Sequence, residues 1–229
     1  MENMTSYLDY QPKSTSRIRE SIEWSTTYSY NATDEINPRV LLIGDSICNG
    51  YQSEVRARLA GSANVTFWAT SKCVTDRDYF RELDFILDGG RFDFISFNNG
   101  LHSLVTDTGE WEAAYRGAVR FILTKKPDAK LSLTLCTSLN DPAKTLRAKE
   151  LNTIAKNIAS EYGLPVIDLF TPTDSLDKAA EMSDVYHFRD KARAAQAKII
   201  ASHIRNRLGL CGCALRQQST ETGPDGALK

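Results

Sequence analysis

The chain has 229 residues, 41% hydrophobic and 25% charged, which is the profile of an ordinary globular chain with enough apolar material for one core and not that of a disordered one. Lysine plus arginine number 28 against 29 aspartates and glutamates, a formal net charge of −1, so no basic excess exists to neutralise a phosphate backbone and nucleic acid is not an expected partner. Nowhere do ~18 apolar residues run together, so no membrane span is expected.

Residues 1–38 are polar with a few aromatics, Trp24, Tyr28 and Tyr30, and are expected to form an extension that packs on the main domain as an extra strand or arm, or stays partly disordered. The opening stretch lacks the basic start and apolar core of a secretory leader, so a cytoplasmic location is the expectation.

From Arg39 to Leu208 short apolar strands alternate with helical periodicity, the pattern of a mostly parallel sheet covered by helices. Val40–Ile43 is the first strand. Tyr51, Val55 and Leu59 lie on one face of the helix that follows, and Gly61 stops it. Val65 and Phe67 mark a second strand. Thr75 or Asp76 caps a second helix carrying Phe80, Leu83 and Leu87, which ends at Gly89-Gly90. Phe92–Phe97 is the third strand, and Trp111, Tyr115, Ala118 and Ile122 form one face of a helix that must finish before Pro127.

Leu131, Leu133 and Leu135 alternate as the fourth strand. Asp141 caps a fourth helix with Pro142 in its first turn and Leu146, Ile154, Ile158 and Tyr162 on its apolar side. Pro165–Phe170 is the fifth strand, and Asp190 is expected to cap a last helix with Ala192, Ala195, Ile199, Ile200 and Ile204 along one side. Five βα units result, giving one domain over residues 39–210. Residues 211–229, rich in Gln, Thr, Gly and Ser, read as a disordered tail. The sequence carries no signal for an oligomeric state.

Five cysteines are an odd count, and Cys48, Cys73 and Cys136 stand far apart, so buried free thiols are expected. Cys211 and Cys213 lack the paired spacing of a structural zinc site, and no metal is assigned. His203 reads as a helix-face residue, and Lys72 and Arg189 as solvent-facing charges.

In an open parallel sheet the loops at the carboxyl ends of the strands form the ligand crevice. Ser46 follows the first strand and opens a helix, where unpaired N–H groups and partial positive charge gather. A serine needs a base within hydrogen-bond reach, usually a histidine oriented by a carboxylate. His187 lies in the loop after the fifth strand with Asp184 three residues before it, so a turn would let Asp184 bond Nδ1–H and leave Nε2 for Ser46. His102 is the rival base, without a carboxylate three residues upstream. Its loop, Asn98-Asn99-Gly100-Leu101-His102, offers donors for an oxyanion, each typically worth ~3 kcal/mol.

Three blocks, VLLIGDSI at 40–47, FDFISFNNGLH at 92–102 and DVYHF at 184–188, resemble those of the GDSL-type or SGNH hydrolases. The resemblance covers residues 38–208 and implies a three-layer α/β/α domain with a flavodoxin-like, five-stranded parallel sheet. It further implies Ser46 as nucleophile, His187 as base, Asp184 as its orienter, and the Ser46 and Gly100 N–H groups as oxyanion donors, with no cofactor. Two blocks depart from the family pattern. His102 stands where the third block carries the asparagine of Gly-x-Asn-Asp, so either His102 donates or Asn98 or Asn99 reaches in. The loop after the second strand, Ala69-Thr70-Ser71-Lys72-Cys73, has no glycine, so a backbone donor from Ser71 to Cys73 is expected instead.

Variants of the form Phe-Asn-x-Gly-Leu-His resemble carbohydrate-esterase branches. The reading is therefore a serine esterase acting on short, chiefly acetyl, esters of a small molecule or carbohydrate. The alternatives are a lipase or thioesterase for longer acyl chains, or a non-catalytic binding module on the same fold.

Overall fold

The computed structural model describes residues 6–210. Its sheet has six strands in the order β1-β3-β2-β4-β5-β6, namely β1 Ser25–Ser29, β2 Arg39–Gly44, β3 Asn64–Thr70, β4 Phe94–Phe97, β5 Lys130–Thr134 and β6 Val166–Ile167. All neighbours are parallel except β1, which runs antiparallel to β3. The five parallel strands match the expected sheet and its flavodoxin-like order. The sixth strand is an addition from the N-terminal extension. Its residues are almost all exposed, so no apolar alternation announces it; it is held by the ladder to β3.

The helices are α1 Ser46–Leu59, α2 Arg77–Asp88, α3 Thr108–Lys125, α4 Pro142–Glu161, two short helices, α5 Phe170–Asp174 and α6 Lys178–Glu181, and α7 Asp190–Leu208. Alternation along β2 divides the core. Val40 and Leu42 face α1 and α7, packing with Val55, Leu59, Ile200 and Ile204. Leu41 and Ile43 face the opposite layer, with Phe80 and Leu83 of α2, Tyr115 of α3 and Leu151 and Ile158 of α4. Among the described residues no helix is long and apolar enough to cross a membrane.

Three local expectations are corrected. The fifth parallel strand is only Val166–Ile167, because Asp168 turns the chain: its carboxylate accepts from the Thr171 N–H (3.0 Å) and hydroxyl (2.7 Å) and starts α5 at Phe170. Asp190 does not cap α7 but is its first residue, paired with Arg193 at 3.0 Å, and Arg189 holds the cap position. Leu146 is 64% exposed; Ala148, Leu151, Ala155 and Ile158 make the buried face of α4, and Leu146 is out of phase with them.

The extension is anchored by a buried charge. The Arg17 side chain is 1% exposed and binds the equally buried Asp76, Glu23 and the Ser71 carbonyl. Arg17→Ala would leave the buried Asp76 with only the half-exposed Arg19, its Nε 3.9 Å away, as a cation, and removing one partner of a buried ion pair typically costs about 3–5 kcal/mol. We expect thermal unfolding to move down by roughly 6–20 °C, and an unchanged Tm would show that Arg17 is not the anchor.

Candidate active site

The parallel strands leave β2 in opposite directions, to β3 on one side and β4 on the other. Ligand crevices form at such a reversal, outside the carboxyl ends of the strands. Both Ser46, after β2, and the Asn98–His102 loop, after β4, lie there.

Ser46 is the first residue of α1. Asp45 caps the helix, its Oδ1 accepting from the Ile47 N–H at 2.9 Å. Gly44 is needed because a Cβ would stand 2.6 Å from Cys48 Cβ, so only glycine lets the helix start so close to the strand end. The hydroxyl of Ser46 lies 2.9 Å from His187 Nε2, across 141 positions of sequence. His187 Nδ1 lies 2.8 Å from Asp184 Oδ2.

The turn from Ser183 to His187 sets this geometry. Asp184 Oδ1 accepts from the backbone N–H groups of Tyr186 (2.7 Å) and His187 (2.8 Å), leaving Oδ2 for the ring. The Ser183 N–H donates to the His187 carbonyl at 2.9 Å, Met182 and Phe188 bridge the base of the turn, and the Asn140 N–H holds the Val185 carbonyl. Both Met182 and Phe188 are buried, so the polar tip stands on an apolar foot. Partial burial opposes ionisation of Asp184, but the two N–H donors and the imidazole outweigh it and hold its pKa at about 2. An ionised Asp184 only accepts, so Nδ1 carries the proton and Nε2 accepts from Ser46 O–H.

The other expected site residues are placed differently. Asn98 donates its amide to the Thr134 carbonyl at 2.7 Å. Asn99, 4% exposed, donates to the Lys72 carbonyl and accepts from the Val74 N–H and the Ser103 hydroxyl. Through these bonds both amides tie neighbouring loops together. Ser71 is corrected in the same way: its N–H donates to the Trp24 carbonyl (3.1 Å), its hydroxyl to Glu23 (2.6 Å), and it is fully buried. Gly100 sits against the β5 exit, where a Cβ would fall 2.1 Å from Cys136 Sγ.

His102 is gripped by the extension. Its Nδ1 lies 2.5 Å from Glu20 Oε1, its ring packs edge-on against Trp24, and its Nε2 is buried without a partner. With Nδ1–H committed to a carboxylate, the neutral ring presents an acceptor at Nε2 and donates there only as imidazolium. Neither Glu20 nor Arg17 is recognisable in the sequence as part of this region, because each acts across more than 50 positions.

Elsewhere, Cys48, Cys73 and Cys136 are free and buried as expected, and burial pushes the Cys48 and Cys136 thiols up to about 12, so neither is a thiolate at neutral pH. His203 bonds Ser132 inside the fold, and burial lowers its pKa. Arg189 is exposed, but Lys72 pairs with Glu82 at 2.5 Å and is mostly buried. Among the described residues no group of three His, Cys, Asp or Glu side chains is placed to hold a metal ion. Cys211, Cys213 and the expected tail lie outside the described residues.

No family model and no curated protein matches this sequence. Solved structures do. The acetyl xylan esterase AlAXEase superposes with a TM-score of 0.63 at 16% identity, over 72% of this chain and 99% of its own. The acetylxylan esterase Axe2 from Geobacillus stearothermophilus gives 0.58 at 20% identity, over 77% and 97%. A lipase/acylhydrolase from Enterococcus faecalis gives 0.58 at 20%, over 74% and 96%. At these identities the likeness is one of architecture, and it spans nearly the whole of each neighbour. The strand order, the serine at the β2 exit and these superpositions together establish that the chain has the fold of the GDSL/SGNH esterases and lipases.

Proposed function

We propose that this chain is a serine esterase that removes short acyl groups, chiefly acetyl, from a carbohydrate by way of an acyl-enzyme. The observation that carries the reading is the unbroken hydrogen-bonded series from Asp184 through His187 to the Ser46 hydroxyl. Fold alone does not establish chemistry, but this arrangement is the one that makes a serine nucleophilic.

Ser46 Oγ attacks the ester carbonyl carbon while its proton passes to His187 Nε2. Negative charge develops on the carbonyl oxygen at the amino end of α1, where the Ser46 N–H and the Gly100 N–H are the proposed donors. The imidazolium then gives its proton to the leaving alcohol oxygen as the carbon–oxygen bond breaks. Water then attacks the acyl carbon as His187 takes its proton, and the bond to Ser46 Oγ breaks as His187 returns that proton to Oγ, so the acyl group departs as the acid. Asp184 holds the ring and balances its positive charge throughout.

One feature favours a short acyl group on a sugar over a long alkyl chain. Two of the neighbours carry the names of acetyl xylan esterases. The test is a panel of aryl esters of increasing acyl length, read beside acetate release from acetylated polysaccharides and labelling by a serine-directed fluorophosphonate. Labelling, a preference for acetyl and acetate release are expected. A preference for octanoyl or longer would favour the lipase or thioesterase reading, and folded protein that neither labels nor hydrolyses any ester would favour a binding module.

A further inference from the structure

The two outer edges of the sheet are built differently. At β6 the edge is two residues long, with Pro165 before it and the Asp168 turn after it, features that keep a further strand from adding there. At β1 the edge is five residues long, Ser25-Thr26-Thr27-Tyr28-Ser29, with no proline and no charge. It has no bulge either, since its register with β3 runs unbroken from Ser25 opposite Thr70 to Ser29 opposite Thr66.

The ladder to β3 fixes which backbone groups face outward. The Ser71 N–H donates to the Trp24 carbonyl (3.1 Å) and the Tyr30 N–H to the Val65 carbonyl (3.0 Å). Bonding alternates along an antiparallel pair, so Thr26 and Tyr28 bond β3, while the N–H and C=O groups of Ser25, Thr27 and Ser29 point away from it. Among the described residues nothing bonds those outward groups. The nearest charge in sequence, Glu23, is turned to Arg17 and the Ser71 hydroxyl, and Tyr28 beside the edge is 58% exposed.

This edge is complementary to itself. About a two-fold axis at Thr27, antiparallel pairing sets Ser25 against Ser29 of the other copy and Thr27 against Thr27. Three N–H groups from each copy then make six hydrogen bonds, and no like charges meet. Tyr28 falls opposite Thr26 of the other copy, a favourable aromatic–β-branched pair. We propose that two copies of this chain associate edge to edge through β1, joining their sheets about a two-fold axis. The axis turns the carboxyl ends of the two sets of parallel strands in opposite directions, so both Ser46 crevices stay open. A five-residue ladder is small beside the roughly 20–30 residues a side of a standard interface, so the dimer is weak and dissociates with a Kd on the order of 10–100 µM.

The test is sedimentation velocity on the full chain across that range, with amide hydrogen exchange read at the same concentrations. Wild type should pass from one chain to two, and the Ser25, Thr27 and Ser29 amides should gain protection as it does. Thr27→Pro removes an outward N–H and leaves the bonds to β3 in place, the position at which an edge strand tolerates proline. It should stay a single chain throughout, with a Tm near that of wild type. Thr27→Lys, which sets like charges opposite each other on the axis, is judged in its place should the proline variant not fold. A wild type that remains one chain up to about 1 mM overturns the proposal. So does a dimer that the Thr27 variant forms as readily, or one in which those three amides exchange as fast as in the single chain, because the contact then lies elsewhere.

Discussion

Ser46→Ala should lower kcat on a short-chain ester by about 10⁴- to 10⁶-fold, because members of a nucleophile–base–acid unit act together and losing one forfeits nearly the whole of their joint effect. The fold should survive. Ser46 is only half-buried, and the cap of α1 is made by Asp45, not by the serine. Circular dichroism and Tm should therefore match wild type while fluorophosphonate labelling disappears. His102→Ala should still label, since His102 makes its contact with Glu20 and not with the Ser46 hydroxyl. Turnover within about tenfold of wild type in Ser46→Ala would mean that the hydroxyl is not the attacking group.

Asp184→Asn should cost about 10²- to 10⁴-fold in kcat, less than His187→Ala. The carboxylate does two jobs here. One oxygen takes two backbone N–H groups and shapes the turn, and the other fixes the proton on Nδ1. An amide can keep part of the first role, but it offers a donor where the ring also donates and so favours the wrong tautomer. The pH dependence separates this role from a merely structural one. The folded pKa of Asp184 is held at about 2, below its ordinary 3.8. A depressed carboxylate stabilises the folded turn fully above the unfolded value and loses that contribution as pH falls from about 4 through 2. Between pH 4 and neutrality Asp184 is therefore ionised and able to hold the ring. In Asp184→Asn the profile of kcat should stay low across this range without recovery at any pH. A variant with unchanged kcat would transfer the orienting role to another carboxylate, although Asp190, the nearest in sequence, is engaged with Arg193.

Much of the scaffold was legible from residue order because its signals are local. The alternation Val40–Leu41–Leu42–Ile43, the capping residues Asp45 and Asp141, and the prolines and glycines that end elements each act within a few positions. The same holds for Asp184 and His187, which a single turn brings together. Where expectation and structure part, a distant partner intervened. β1 has no apolar pattern of its own and exists because β3 offers it an edge. Asn98, Asn99 and Ser71 each donate to a carbonyl on another segment, of Thr134, Lys72 and Trp24, which sequence could not show.

Residue order alone thus determined a βα alternation, a serine at the first strand's exit and an acid–imidazole turn before the last helix. Only tertiary structure decided that the imidazole meets that serine, that Glu20 grips His102, and that β1 forms an outer edge of the sheet. Periodicity and turn chemistry act over one or two turns of chain. The distance between groups far apart in sequence follows from the order of the strands and from which helices pack over them, and no short stretch of sequence contains it.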